Sequence, residues 1–158
     1  ATMWLAVPLY EQLEILKKNV KAIMAGIISG VITSMSSILA LSVIFNFSHT
    51  EYVTILPKSI TTAIGIGISE ELGGIVTITV AVIIITGIFG NMTAEFVCKM
   101  FKINEPIARG VAIGSSAHAM GTAKAIEMGP IEAAISSLTI AVAGIVTVVA
   151  VSFYATLL

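Results

Sequence analysis

The chain has 158 residues, of which 57% are apolar and only 11% charged, with a formal net charge of −1. Soluble domains carry about 25% charged residues, so this composition cannot supply a water-facing surface, and it offers no basic face for nucleic acid. The single cysteine, Cys98, excludes an internal disulfide and a cysteine cluster for zinc.

The apolar runs are long and unbroken, whereas a membrane β-barrel would show alternating segments of roughly ten residues. The expected fold is therefore an all-α integral membrane protein. Its first stretch, "ATMWLAVPLY", is apolar with no basic residue before it, which fits the tail of a transmembrane helix better than a signal peptide. One membrane domain over 1–158 is expected, lacking N-terminal helices of a longer protein.

Three spans follow in chain order. The first runs from Val20 to about Phe47 and carries Ala22, Gly26, Gly30 and Ser34 at four-residue spacing, a small-residue stripe that lets another helix approach closely. The second runs from Ile75 to about Val97. Its β-branched run "GIVTITVAVIIITGIF" would suit a buried strand in a soluble protein, but its length argues for a span. The third runs from Ile131 to Leu158, with Ala133, Ser137 and Ala141 as its small face. Thr77, Thr79 and Thr86 are expected to hydrogen-bond their own helix. Glu70, Glu71, Glu127 and Glu132 are expected at the interface, because a buried carboxylate is costly.

Residues 50–73 and 106–129 are not clean spans, and they resemble each other. At an offset of 56, Ser59 matches Ser115, Ala63 matches Ala119, Gly65 matches Gly121, Glu71 matches Glu127, Gly73 matches Gly129 and Ile75 matches Ile131. This predicts a duplicated unit of broken segment plus span, repeat 1 over about 50–98 and repeat 2 over about 106–158. Outside these segments the basic residues fall in two clusters, Lys17–Lys21 and Lys99–Arg109. The positive-inside rule puts both in the cytoplasm, which holds only if 50–73 dips into the membrane and returns. Its partner 106–129 then enters from the opposite side. Arms of ten residues reach roughly 15 Å, half of a ~30 Å hydrocarbon core, so the two tips meet near the midplane. Inverted repeats with broken helices facing each other are the architecture of secondary transporters.

The tips suggest an anion site. In "LPKSITTAIG", Pro57 breaks the incoming arm, and Ser59, Thr61 and Thr62 open the returning one, whose free N–H groups suit an anion. In "GSSAHAMGTAKA", Gly114 is expected to loosen the chain, Ser115 and Ser116 to cap, and His118 and Gly121 to flank the break. Lys58 and Lys124 are available to supply charge. His118 titrates near neutral pH and is the candidate for a coupled proton. Together these groups describe a pocket for a small carboxylate, with no metal and no cofactor. The small-residue faces fit a homodimer.

"AVPLYEQ", "PKSITTAIGIGISEELGGI", "NEPIARGVAIGSSAHAMGTAKAIEMGPIE" and "LTIAVAGIVT" resemble the LrgB/CidB family over essentially the whole chain. That family comprises bacterial antiholin-like membrane proteins and is similar to the C-terminal half of a plastid glycolate/glycerate translocator. Many of its members read Pro-Ile where this chain has Ala63-Ile64, and Ser-His-Gly-x-Gly-Thr where it has Ala117-His118-Ala119-Met120-Gly121-Thr122. The resemblance carries over His118, Gly121 and Thr122 as binding residues. It implies a multi-pass protein of the bacterial cell membrane, a small LrgA/CidA-type membrane partner, and either transport of small monocarboxylates or control of murein hydrolase activity and lysis. No arrangement of His118 with a base or orienting group points to an enzyme.

Overall fold

The computed structural model describes residues 12–158, and these form helices and turns only. The expected segment at 1–10 lies outside the described residues. Helix α1 (Leu13–Ile44) holds no charge beyond Lys21 and is long enough to cross a bilayer. Helix α4 (Val76–Met100) and helix α6 (Pro130–Tyr154) are the other two spans. The β-branched run in α4 is helical because hydrocarbon offers no partner to a strand's backbone groups, while a helix satisfies its own. Its outer face carries Ile85, Phe89, Met92 and Phe96, each about two-thirds exposed or more, as a lipid-facing surface requires.

Residues 49–72 form the first hairpin. Helix α2 (His49–Ile55) opens with a capping box: Ser48 Oγ accepts from the Glu51 amide at 3.3 Å, and Glu51 Oε2 accepts from the Ser48 amide at 2.8 Å. Glu51 is thus part of the cap. Pro57 follows directly after the last turn of α2, and the chain reverses over residues 56–61 into helix α3 (Thr62–Glu71). Gly73, at φ +75°, then supplies a left-handed turn that side chains rarely adopt.

The second hairpin is helix α5 (Pro106–Met128), interrupted at one residue, His118, with φ 41° and ψ −136°. A Cβ on Gly121 would lie 3.2 Å from the carbonyl oxygen of Ile113. Eight residues apart in a continuous helix, these groups would be separated by about 12 Å, so the second arm folds back along the first. Gly114 and Gly121, expected at the break, are both helical. They serve close packing instead: a Cβ at Gly114 would meet Ser136 O and Thr139 Cβ at 2.7 Å, and one at Gly121 would meet Ala117 Cβ at 2.6 Å.

The hairpins approach α4 from opposite ends. At its start, Thr79 Oγ1 donates to Thr54 O and contacts Ser69 Oγ, both at 2.8 Å, and the Ile75 amide donates to Thr54 Oγ1. Thr79 therefore ties the first hairpin to the span, a role beyond the bond to its own helix at Ile75 O. At the other end of α4, Lys124 Nζ of the second hairpin lies 3.5 Å from Glu95 Oε2. Helix α6 is the most enclosed span, with Ile135, Ser136, Thr139 and Ala143 against its neighbours. Its expected small face is only partly an interface, since Ala133 is buried but Ala141 is exposed; small residues recur along α6 at several registers, so spacing alone did not pick the packed one.

Candidate binding site at the hairpin tips

Helix α1 runs past both tips. A Cβ on Gly26 would meet Val111 at 2.9 Å, and one on Gly30 would meet Ser115 Oγ at 3.1 Å, so the stripe seats the first arm of α5. One turn further, Ser34 Oγ donates to Ser59 Oγ at 3.1 Å, at the tip of the first hairpin. Ser34 lies ten residues before the end of α1, about 15 Å along the axis, which is half of a ~30 Å core. The tips meet there around a cavity of about 330 Å³ bordered by Ser29, Thr33 and Ser34 of α1, Lys58 and Ser59 of the first tip, and Ser115 and Ser116 of the second.

Lys58 is the one cation bordering this cavity, and no carboxylate of the described residues pairs with it. Its ammonium donates to Ser59 Oγ at 2.8 Å and Ser34 Oγ at 3.4 Å, leaving one of three protons uncommitted. Ser59 Oγ accepts from both neighbours, so its own proton is also available. Ser115 and Ser116 donate at 2.7 Å to the carbonyls of Val111 and Ala112 in their own arm. The cavity thus presents two free donors, one of them charged, among hydroxyl oxygens.

The other expected site residues lie elsewhere. Thr61 is the N-cap of α3 without a side-chain cap bond, Thr62 is its first residue, and neither borders the cavity. His118 is buried on the far side of its tip, with Nε2 3.1 Å from Ile83 O of α4 and its ring filling the space left by Gly87. Thr122 Oγ1 donates to His118 O at 3.0 Å and meets Ser136 Oγ at 2.6 Å. His118 and Thr122 therefore join the second tip to α4 and α6, Gly121 packs within its own hairpin against Ala117 and Ile113, and none of the three borders the cavity. The structure brings Lys58, Ser59, Ser115 and Ser116 together and sets the rest apart.

The family model for LrgB, the LrgB-like family, matches residues 1–157. The chain belongs to the LrgB-like family. It is 37% identical over 158 residues to the antiholin-like protein LrgB of Bacillus subtilis (strain 168), covering all of this chain and 68% of that protein. It is 36% identical over 154 residues to the proteins of the same name from Bacillus cereus (strain B4264) and Bacillus anthracis (strain CDC 684 / NRRL 3495), covering 98% of this chain and 67% of each. No solved structure matches it.

Two features of this LrgB-like chain escaped the sequence reading. The third wall of the cavity is Ser29, Thr33 and Ser34 of α1, and the signal was present as the hydroxyl-rich stretch "SGVITSMSS". Asn91, in the middle of α4, donates to Met120 O at 2.6 Å and holds the second tip. A second polar cluster lies at the mouth of α5, where Lys124 joins Glu127 at 2.9 Å and Glu95 at 3.5 Å, and Arg109 Nη1 lies 3.7 Å from Glu132 Oε1. Glu132, in the first turn of α6, is buried there beside Arg109.

Proposed function

We propose that this protein transports small monocarboxylates of the pyruvate or glycolate kind across the bacterial cell membrane, acting with a small LrgA/CidA-type membrane partner. The observation that carries this reading is Lys58, a cation without a carboxylate partner among the described residues, held between two hairpin tips in a hydroxyl-lined cavity. An ionisable group at that depth marks a solute path, and two re-entrant tips around a polar cavity match the way secondary transporters build a midplane site. A pore-forming or purely structural subunit needs neither. The name of the relatives, antiholin-like protein, favours a second reading in which the protein regulates lysis without carrying a solute. In the transport reading, control of lysis is a consequence of carboxylate movement. His118 contributes through the conformation of its tip.

Flux of labelled pyruvate or glycolate into liposomes holding the full-length protein, with and without its partner, tests this. Lys58→Met should weaken apparent affinity roughly ten- to hundredfold, the value of one charge-assisted hydrogen bond, and leave thermal stability near that of the parent because the Ser34–Ser59 bond remains. Ser59→Ala should reduce flux as well. Well-folded protein that moves no carboxylate, yet binds its partner with both substitutions in place, would establish the structural reading instead.

A further inference from the structure

Between α1 and the first arm of α5 runs a groove of about 500 Å³, walled by Ala22, Gly26, Ala108 and Ala112. Its outer mouth is flanked by Asn19 and Glu105, at the end of the protein where the two clusters of basic residues lie. At its inner end it shares Gly30 and Ser115 with the Lys58 cavity, so the two spaces adjoin there. On the opposite side of the tips the protein is filled. Met35, Ile38, Tyr52, Val53 and Leu56 are buried there, Tyr52 Oη donates to Tyr154 O at 2.9 Å, and Tyr154 Oη meets Ser36 Oγ at 2.7 Å.

We infer that solute and water reach Lys58 from the basic end along the α1–α5 groove, and that this structure is the conformation open to that end and closed to the other. The inference rests on the transport reading and adds the route to it. Its physical basis is the solvation of Lys58. An ammonium at mid-membrane depth without a counter-ion costs several kcal/mol unless water or an anion reaches it. The groove adjoins its cavity, and at ~30 Å³ per water its volume of about 500 Å³ has room for roughly seventeen molecules. Polar groups stand at both ends, and the walls between are apolar, mostly small side chains with Ile107 and Val111 among them, which leave the passage open without binding the solute. A surface built to seat a lipid chain would expose Lys58 to hydrocarbon. The tyrosine contacts at Tyr154 are the closed door, and alternation requires them to part.

Cysteine accessibility tests the route whether or not a solute moves. In the full-length protein carrying Cys98→Ser, which removes the one native thiol of this chain, Ala112→Cys and Ser116→Cys should react with a membrane-impermeant aqueous thiol reagent applied from the basic side. Lys102→Cys in the adjoining loop gives the fully labelled control. Ile85→Cys, 65% exposed on the lipid face of α4, should stay unlabelled. Added pyruvate should slow the reaction at Ser116→Cys, and modification at Ala112→Cys should abolish flux. If Ala112→Cys and Ser116→Cys both stay as unreactive as Ile85→Cys, the groove is filled by lipid or protein and the route is overturned, even where flux is intact. Labelling at both without any flux upholds the water path and sinks the transport reading alone.

Discussion

Replacing His118 by Ala and by Gly gives a direct test of where the second hairpin breaks. Both variants lose the imidazole, its contact with Ile83 O and its packing on Gly87, so these losses cancel in the comparison. What remains is the backbone. If residue 118 were part of a continuous helix, Ala would be the more stable of the two by about 1 kcal/mol. At φ 41° and ψ −136°, a side chain costs about 1–3 kcal/mol that glycine does not incur. His118→Gly should therefore be the more stable variant, by about 1–3 kcal/mol, the reverse of the helix ranking. For a chain of this length, 1 kcal/mol corresponds to about 2–4 °C in Tm. The assay is thermal unfolding of the two variants side by side in one detergent. Equal midpoints, or a higher one for His118→Ala, would refute a break at this residue and with it the inward-dipping form of α5.

The same chemical change should act in opposite directions at two other glycines. Gly114→Ala should destabilise by about 1–3 kcal/mol because its methyl meets the carbonyl of Ser136, whereas Gly67→Ala, with open space around it, should be neutral or stabilising by up to about 1 kcal/mol; thermal midpoints decide both. The start of α2 should loosen in acid. Hydrogen bonds from the Ser48 side chain, then from its amide, hold the Glu51 carboxyl below its ordinary 4.5, so the cap is at full strength above that pH and is lost as pH falls through the lower folded value. Hydrogen exchange at the Glu51 amide should accelerate over that window, and a flat profile would exclude the carboxylate from the cap. His49→Cys and Lys102→Cys should label from opposite sides of the membrane, and labelling from one side would undo the inverted arrangement of the hairpins.

Much of this architecture was legible because membrane helices are governed by length and breakage. The three spans announce themselves by uninterrupted apolar length. The first tip is marked by Pro57, which removes a backbone donor, and the second by an echo of the first. The stripe Ala22–Gly26–Gly30–Ser34 correctly foretold a close neighbour. Rotation about the hairpin axes was not legible. Residue spacing says that His118 lies at a tip; it does not say which way the tip turns, and the glycines of α4 at 87 and 90 decide that by leaving room for His118 and Ala117. For the same reason Gly114 and Gly121 read as breakers from sequence, since a glycine that bends a helix and one that lets a neighbour approach leave the same letter. Ser29, Thr33 and Ser34 were hidden because hydroxyls in a span most often bond their own carbonyls, as Ser29 does to Gly26 O.

Packing at the second tip explains why one charge borders the cavity. At the offset of 56, Ser59 and Ser115 correspond, and both border the cavity. Lys58, however, corresponds to Gly114, where any side chain would strike the backbone of α6 at Ser136. A lysine in both tips would also set two ammonium groups across one cavity. The two hairpins have therefore taken different parts: the first supplies the charge, the second a hydroxyl wall and a strained tip fastened to α4. Among the described residues one cation, Lys58, borders the cavity. In the transport reading, a dicarboxylate would bring a second negative charge with no partner to a site where unpaired charge is costly. Labelled pyruvate flux should be inhibited by unlabelled glycolate far better than by a dicarboxylate of similar length at equal concentration. Inhibition by the dicarboxylate at parity would mean that a further cation reaches the cavity, and the single-charge reasoning would fail.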